Sequence, residues 1–386
     1  MKLRDAVAVV GIGETRYSRS SGTTSVGLNL QASAQALGDA GLDAKAIDGI
    51  VVPALVGATA EDLSTNFGID TLRYTANVHM GGAGPVAALQ HALLALSSGL
   101  ATHVLVSFGY NGYSDVRLGR RPPTLLLGDS PSYRRNYEAV HGLLVPSQFY
   151  ALWCTRYLHE RGWRDTLPLA EVAVTQRAHA LLNDNAIMQT PLTVEEHQSS
   201  RLISYPLRLL DCSQETDGAG AIVLTTAERA RDLQQQPIYL MGVAEGHPPM
   251  PDQLPSRQAF LHSGLREAAP RAFAMAEITP GDVDVAELYD AFTFLVPYQL
   301  EELGLSGPGE GAAFVMEGKT KLGGALPVNT HGGLLSQAHI WGMSHLVEAV
   351  KQLRGSAGRA QVSGAEIALV TGSGDFGDGS VAILRR

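Results

Sequence analysis

Residues 329–355 decide the fold, and they read NTHGGLLSQAHIWGMSHLVEAVKQLRG. Gly332 and Gly333 allow the backbone to turn tightly and to approach a ligand closely. Apolar residues then recur on one helical face and predict a helix over residues 345–353. His339 lies in the turn before this helix, where an imidazole is well placed for acid–base chemistry. Taken alone, such a histidine is more often structural, so the rest of the chain must decide its role.

Composition limits the classes of function. The chain has 386 residues, of which 45% are hydrophobic and 17% charged, and this composition predicts a globular protein with a large core in two domains or halves. A net charge of −9 argues against nucleic acid as the main partner. The longest apolar stretches of the chain fall short of the ~20 residues of a membrane span, and the first residues lack the pattern of a signal peptide. We therefore expect a cytoplasmic protein without a membrane partner.

The two cysteines, Cys154 and Cys212, do not form a C-x-x-C pair. A metal site built on cysteine is therefore not expected, and reduced thiols are the simpler interpretation. Cys212 is expected to be an inert thiol in the core.

The first half of the chain alternates strands and helices. Strands are predicted over residues 6–11, 47–53 and 104–108, and helices over residues 28–40 and from Pro85 to Gly99. Gly11-Ile12-Gly13 is predicted to be a turn, and it lacks the third glycine of a dinucleotide-binding fingerprint. This order predicts a parallel sheet with both faces covered.

A second cycle of strands and helices begins near residue 238. Strands are predicted over residues 238–243 and 285–289, helices over residues 264–277 and from about 293 to 303, and a hairpin over residues 367–371 and 380–384. Both halves therefore read strand, helix, strand, which indicates two similar α/β halves.

Gly81, Gly82 and Ala83 precede the helix that begins at Pro85. Small residues there have two interpretations: close packing, or an oxyanion or thioester pocket built from free N–H groups. Residues 111–144 are predicted to be a long irregular excursion with a run of arginines, either a solvated loop or a functional one.

Three segments of the middle of the chain resemble the thiolases, in particular the sterol-carrier-protein type. They are SQFYALWCTRYLHERG (147–162), VAVTQRAHALLNDNA (172–186) and YPLRLLDCSQETDGAGAIVLTT (205–226). The resemblance covers nearly the whole chain. It implies the thiolase fold: two similar βαβαβ-type halves in a five-layered αβαβα arrangement with an inserted loop domain. The implied domains are residues 1–236, with the loop domain at about 110–205, and residues 237–386.

The departures from the thiolase pattern are informative. Counting back from Gly99, the nucleophilic cysteine of a thiolase would fall at Gly82. Tyr289-Asp290-Ala291-Phe292 stands where thiolases carry Asn-Glu-Ala-Phe or His-Asp-Cys-Phe. The histidine of the thiolase Gly-His-Pro motif is retained as His339, and the second thiolase cysteine corresponds to Ser373. An acyl-enzyme on the usual cysteine is therefore excluded by the resemblance.

What remains is the part of a thiolase that stabilises a thioester enolate. The resemblance is then to thiolase-like aldolases of steroid side-chain degradation, which lack the cysteine and perform retro-aldol cleavage of a β-hydroxyacyl-CoA. It implies catalytic roles for His339, in stabilising the enolate, and for Tyr289, in proton transfer. The reverse assignment stays open.

Four further residues are expected at the substrate: Gly82, Asp290, Gly333 and Asp375. Gly82 is predicted to leave an open floor for a bulky substituent on the β-carbon. Asp290 is also expected to cap the helix that follows it. The role of Asp375, catalytic or a turn residue, stays open.

The resemblance also implies the partners. We expect a homodimer, an acyl-CoA substrate, no cofactor or metal on this chain, and a small zinc-ribbon/OB-fold partner protein that carries any zinc in a heterotetramer. Two alternatives remain: an acyltransferase or condensing enzyme, and a non-catalytic subunit that binds acyl-CoA. The sequence leaves open which acyl-CoA or side chain is used, and whether activity requires the partner.

Overall fold

The computed structural model describes residues 3–53, 56–115, 117, 134–250, 254–374 and 377–386. These residues form the following strands: β1 Val7–Glu14, β2 Gly49–Val52, β3 Tyr74–Asn77, β4 His103–Asn111, β5 Leu202–Ser204, β6 Leu207–Arg208, β7 Asp217–Thr226, β8 Ile238–Gly246, β9 Val285–Glu287, β10 Ile367–Ser373 and β11 Gly379–Arg385.

The helices of the same residues are α1 Ser25–Ala40, α2 Ala60–Phe67, α3 Gly84–Ser97, α4 Pro146–Glu160, α5 Leu167–Ala180, α6 Val194–Ser199, α7 Ala227–Ala230, α8 Gly264–Ala276, α9 Leu295–Glu302, α10 Gly311–Met316, α11 Gly333–Ser336 and α12 Met343–Arg354. In the part of the chain that the structure describes, no helix is both long enough and apolar enough to cross a membrane.

Nine strands form one sheet in the order β3-β2-β4-β7-β1-β8-β11-β10-β9, and β5 and β6 form a separate hairpin. The first half contributes β3-β2-β4-β7-β1, and the second contributes β8-β11-β10-β9. Without β3, the order in the first half is β2-β4-β7-β1. Read from the opposite edge of the sheet, the order in the second half is β9-β10-β11-β8. In each half, the first strand along the chain therefore lies beside the last. This shared topology confirms the prediction of two similar halves, and β3 is an extra edge strand in the first.

The halves also place their helices alike. α1 follows β1 and α8 follows β8, and each packs on the strands of its own half. α3 precedes β4 and α12 precedes β10, and these two helices contact strands of both halves. The layers are therefore α1, the first half-sheet, α3 with α12, the second half-sheet, and α8. The five-layered α/β arrangement of a thiolase is confirmed.

Strand β1 illustrates how the sequence builds these layers. Ala8 and Val10 belong to the core on the α1 side, whereas Val7 and Val9 belong to the central core with α3 and α12. Alternate side chains of a strand point to opposite faces, and both faces are covered here, so residues 7–10 are all apolar.

Two predictions about the sheet are wrong. Residues Gly11-Ile12-Gly13 are not a turn but part of β1. Glycine is needed at positions 11 and 13 because a Cβ there would overlap carbonyl oxygens of α1. These glycines serve close packing between helix and strand. The sheet is also not parallel throughout: β2 pairs in parallel with β3 and β4, and β9 with β10, but every neighbouring pair along β4-β7-β1-β8-β11-β10 is antiparallel.

Helix ends follow the chemistry of their sequence. Thr24 caps α1 by accepting from the Gly27 amide, and Gly41 ends the helix with a φ of 68°. Thr193 and Glu196 form a reciprocal capping box on α6. Half of the predicted excursion over residues 111–144, including Arg120 and Arg121, lies outside the described residues.

Candidate active site

The fold brings Gly82, Tyr289 and His339 together at the N-terminal ends of the two central helices. Gly82 lies in the turn Gly81–Ala83 that leads into α3. Tyr289 follows strand β9, and His339 lies four residues before α12. All three line one cavity of about 500 Å³, a volume in the usual range of about 300–1,000 Å³ for small-molecule sites.

The phenol of Tyr289 fills the space that a side chain at position 82 would need. A Cβ built on Gly82 would lie closer than 3.0 Å to the hydroxyl and ring of Tyr289 and to the carbonyl oxygen of Ser373. Real Cβ atoms do not approach other atoms so closely. The expectation of an open floor at Gly82 is therefore wrong, because the tyrosine occupies that floor.

The side chains of Thr371, on strand β10, and of Gln299, on helix α9, hold the backbone of Tyr289. Its amide donates to Thr371 Oγ1 at 2.9 Å. The Thr371 hydroxyl donates to Gln299 Oε1 at 2.6 Å, and Gln299 Nε2 donates back to the Tyr289 carbonyl at 2.6 Å. This ring of hydrogen bonds is fully buried, so it fixes where the phenol enters the cavity.

A segment of the first half holds His339 in place. Ser213 Oγ lies 2.7 Å from His339 Nδ1, and the His339 amide donates to Thr216 Oγ1 at 3.3 Å. The Ser213 amide in turn donates to the Ala291 carbonyl at 2.9 Å, two residues after Tyr289. Residues 213–216 therefore tie together the two segments that carry the tyrosine and the histidine.

His339 is neutral in the folded protein. Burial lowers the pKa of its imidazole to about 4, against the opposing influence of the Asp290 and Glu215 carboxylates. A neutral imidazole has one N–H donor and one acceptor nitrogen. At neutral pH the side chain can therefore donate a hydrogen bond to a ligand without carrying a positive charge.

Asp290 is fully buried, and it lies outside the set of described residues that line the cavity. Its carboxylate accepts from the Leu334 and Leu335 amides at 2.8 and 3.2 Å, and it lies 3.1 Å from His345 Nε2. The prediction that it caps the helix following it in sequence is wrong: it caps α11, which follows the glycine turn. Asp290 therefore supports the fold and, in the described structure, does not line the cavity.

Gly333 also lies outside the described lining of the cavity. Its φ is 62°, and a Cβ there would overlap the Asp290 carboxylate. Glycine is needed here for the left-handed backbone and for this close approach. Gly333 therefore positions Asp290 under the turn, and a direct contact with substrate is not supported by its place in the fold.

A buried cluster of ionisable side chains lies behind Tyr289. His331 Nδ1 lies 2.9 Å from Glu287 Oε2, and the His331 and His345 rings pack edge to face at 4.8 Å. Burial raises the pKa of Glu287 to about 8 and lowers that of His331 to about 3. Glu287 and His331 are therefore neutral near pH 7, as expected for groups removed from water.

Aromatic side chains form much of the cavity wall. Trp341 packs against Phe108 at 5.0 Å, and Tyr150 packs against Phe292 at 4.6 Å. Arg19 and Arg117 also line the cavity, and both stack on the Tyr113 ring. The cavity therefore combines aromatic walls with two guanidinium groups.

Three further residues discussed from the sequence are Cys212, expected to be a core thiol, Ser373, at the position of the second thiolase cysteine, and Asp375, expected at the substrate. Cys212 lines the cavity as a free thiol, and burial raises its pKa to about 12, so it is protonated and a poor nucleophile. Ser373 is buried at the end of β10. Asp375 lies outside the described residues. Among the residues that are described, no group of three or more His, Cys, Asp or Glu side chains could hold a metal ion.

Sequence reasoning misses several positioning residues. Ser213, Gln299, Thr371 and His345 act through partners 55 to 126 residues away in the chain or through the Tyr289 backbone. Single polar residues in apolar segments carry no sequence signal of such contacts. The one hint is that Thr371 interrupts an otherwise apolar strand.

Known proteins are similar to this chain over most of its length. Residues 251–386 match the family described as thiolase C-terminal domain-like. The chain is 39% identical over 374 residues to 17-hydroxy-3-oxo-4-pregnene-20-carboxyl-CoA lyase of Mycobacterium tuberculosis, covering 96% of both chains. It is 37% identical over 362 residues to the steroid side-chain-cleaving aldolase of Thermomonospora curvata, covering 92% of both.

A solved structure matches nearly the whole fold. It is an Ltp2-ChsH2(DUF35) aldolase, and the match has a TM-score of 0.92 and 34% identity over 100% of this chain and 99% of that one. That aldolase is named for two proteins, Ltp2 and ChsH2. The chain belongs to the thiolase superfamily and, within it, to the family of the steroid side-chain-cleaving aldolases.

Proposed function

We propose that this protein is a carbon–carbon lyase that cleaves a β-hydroxyacyl-CoA by a retro-aldol reaction. One observation carries the proposal: the phenol of Tyr289 occupies the space where a thiolase-like nucleophile at position 82 would lie. The site cannot form an acyl-enzyme there, and it retains a hydroxyl and a neutral imidazole on one cavity. These are groups for proton transfer and for stabilising an oxyanion.

The proposed reaction needs neither water, an oxidant nor a second thiol. As the phenolate, Tyr289 accepts the proton of the β-hydroxyl group, which it later returns to the α-carbon, while the Cα–Cβ bond breaks. The electron pair of that bond forms the thioester enolate, whose oxygen accepts a hydrogen bond from His339. The α-carbon then takes up one proton, so the products are a ketone or aldehyde and a shorter acyl-CoA.

The proposed substrate class is a steroid side-chain CoA thioester. The two relatives are named for steroid substrates. The flat aromatic walls provided by Trp341, Tyr150 and Phe292 suit a rigid apolar ring system, since aromatic faces stack on flat apolar surfaces. A hydroxyl at the β-carbon is the feature that the mechanism requires.

For the assembly, we propose a homodimer joined to a small partner protein, in keeping with a solved relative that is named for two proteins. In the part of the chain that the structure describes, β3 pairs with β2 alone, and such an open edge is a natural place for chain pairing. No cofactor of the chain itself enters the proposed reaction. Any zinc would belong to the partner.

Product analysis tests the function. The protein, with its partner, is incubated with a β-hydroxyacyl-CoA of a steroid side chain and without free CoA, and the products are identified by mass spectrometry. Equimolar ketone and shorter acyl-CoA support the proposal, and Tyr289→Phe should slow the formation of both at least about 100-fold. Binding of the thioester without any product would favour a non-catalytic subunit, and acyl transfer to an added thiol would favour an acyltransferase.

A further inference from the structure

We propose that Ser213 is a positioning residue that holds His339 in the tautomer with its proton on Nε2, so that the imidazole acts as a neutral hydrogen-bond donor to the substrate. This inference rests on the proposed function for its chemical meaning. The tautomer itself is a property of the resting protein and can be measured without turnover.

The contact between Ser213 and His339 has two possible directions. Either the serine hydroxyl donates to Nδ1, which places the imidazole proton on Nε2, or Nδ1–H donates to the hydroxyl, which leaves Nε2 bare. The nitrogen that remains for a ligand is Nε2 in both cases, because Nδ1 is engaged by Ser213 at 2.7 Å. The direction of this one hydrogen bond therefore decides whether His339 is a donor or a base.

One observation favours donation by the serine. Among the described residues, His339 Nδ1 is the acceptor within hydrogen-bond reach of the Ser213 hydroxyl. If Nδ1–H donated instead, the serine proton would have no acceptor among the described residues, whereas donation by the serine pairs both groups.

The rest of the site supports the same direction. The groups that influence the ring are Asp290, Glu215 and His345, and burial outweighs the two carboxylates and keeps the imidazole neutral. The Glu215 carboxylate is already engaged with Arg117 at 2.9 Å. Asp290 is satisfied by two amides and His345, so both carboxylates have partners other than Nδ1 of His339.

This assignment divides the chemistry between the two catalytic candidates. An imidazole that presents Nε2–H can stabilise the enolate oxygen but cannot receive the substrate's hydroxyl proton. Proton transfer then falls to Tyr289, which resolves the ambiguity that the sequence leaves open. Ser213 contributes by fixing the donor before substrate arrives, and such preorganised donors stabilise transition states more than freely rotating ones.

Nitrogen-15 NMR of the complete protein labelled at histidine tests the proposal. The His339 signals are identified among the 12 histidines by their loss in His339→Gln, and the spectrum is recorded near pH 7.5 without substrate. The expected result is a protonated Nε2 and an unprotonated Nδ1. A protonated Nδ1, or two protonated nitrogens, would overturn the proposal.

Variants separate the serine hydroxyl from general support of the segment. Ser213→Ala should give a mixture of tautomers and lower kcat about tenfold or more, and Ser213→Thr should restore both. Thr216→Val is the matched control, since it removes a contact with the His339 backbone and should leave the tautomer unchanged. A single Nε2–H tautomer in Ser213→Ala would show that the serine does not set it. If that variant fails to fold, the wild-type spectrum still decides, and failure to turn over any thioester would count against the proposed function alone.

Discussion

The hydroxyl of Tyr289 lies where the side chain of residue 82 would begin. A Cβ on Gly82 would overlap both the phenol oxygen and the ring. By the resemblance to thiolases, position 82 is where the nucleophilic cysteine would stand. A cysteine side chain at that position and the phenol of Tyr289 in its present place would exclude each other.

Gly82→Cys should not create a thiolase. The new side chain must displace Tyr289 or distort the turn before α3, so we expect retro-aldol turnover to fall at least about 100-fold, since misplaced reacting groups cost that much. Thiolytic turnover should stay undetectable. Gly38→Cys is the matched control, because a Cβ there meets no atom within 4 Å. Robust thiolysis by Gly82→Cys would refute this account of the site.

Tyr289→Phe should lower kcat by at least about 100-fold, the usual scale for an acid–base group, and change KM little. The ring is retained, so packing around the 4% exposed side chain should persist, and the melting temperature serves as the check on folding. Tyr205→Phe, which alters a surface tyrosine that is 77% exposed, is the control. Turnover like that of the wild type would remove Tyr289 from the chemistry.

Gln299→Leu should weaken catalysis without a substitution inside the cavity. It removes the bridge between Thr371 and the Tyr289 carbonyl, and leaving buried polar groups unpaired costs about 1–3 kcal/mol. We expect a lower melting temperature and a kcat reduced roughly 10- to 100-fold in the folded enzyme, because the phenol is no longer fixed. Gln31→Leu, on the exposed side of α1, should change neither. A destabilised enzyme with unchanged kcat would show that the network serves folding alone.

Glu287→Gln should change how stability depends on pH. The pKa of Glu287 is raised from 4.5 to about 8 by burial, so between these values the unfolded chain has lost a proton that the folded protein keeps. The free energy of unfolding therefore falls as pH rises through this window, and the contribution of Glu287 to stability is smallest at high pH. The groups facing it are His331, His345, Asp290, Glu348 and Thr330.

The measurement is the free energy of unfolding by denaturant at several pH values from 5.5 to 9, for wild type and variant. The glutamine removes the titration, so the stability of the variant relative to wild type should rise with pH across that window. Glu195→Gln, on the exposed first turn of α6, is the control. A difference between Glu287→Gln and wild type that stays constant with pH would mean that Glu287 does not titrate there.

Much of this fold follows from local patterns in the sequence. The helix ends at Thr24, Gly41 and Thr193 are set by capping chemistry within a few residues, so such ends can be predicted. The antiparallel centre of the sheet cannot, because strand direction depends on which distant strands pair. The prediction of a turn at Gly11 and Gly13 is wrong for the same reason: the need for glycine comes from α1, which packs against them.

The candidate site also has residues that can be predicted from the sequence and residues that cannot. His339 and Tyr289 can be found because they stand at positions of a known motif. The role of Asp290 cannot be assigned, since its partners Leu334, Leu335 and His345 lie more than forty residues away. Nor can the sequence predict that a Cβ at position 82 would overlap the Tyr289 phenol, because this contact forms only when the two halves of the chain pack together.

The most direct test of the central claim is a single-turnover reaction in heavy water, with the partner protein present and no free CoA. Retro-aldol cleavage predicts equimolar ketone and shorter acyl-CoA, with one solvent deuterium on the α-carbon of the acyl-CoA and no acylated protein by intact mass. Cleavage that begins only when free CoA is added, or that leaves an acyl group on the protein, would contradict the claim.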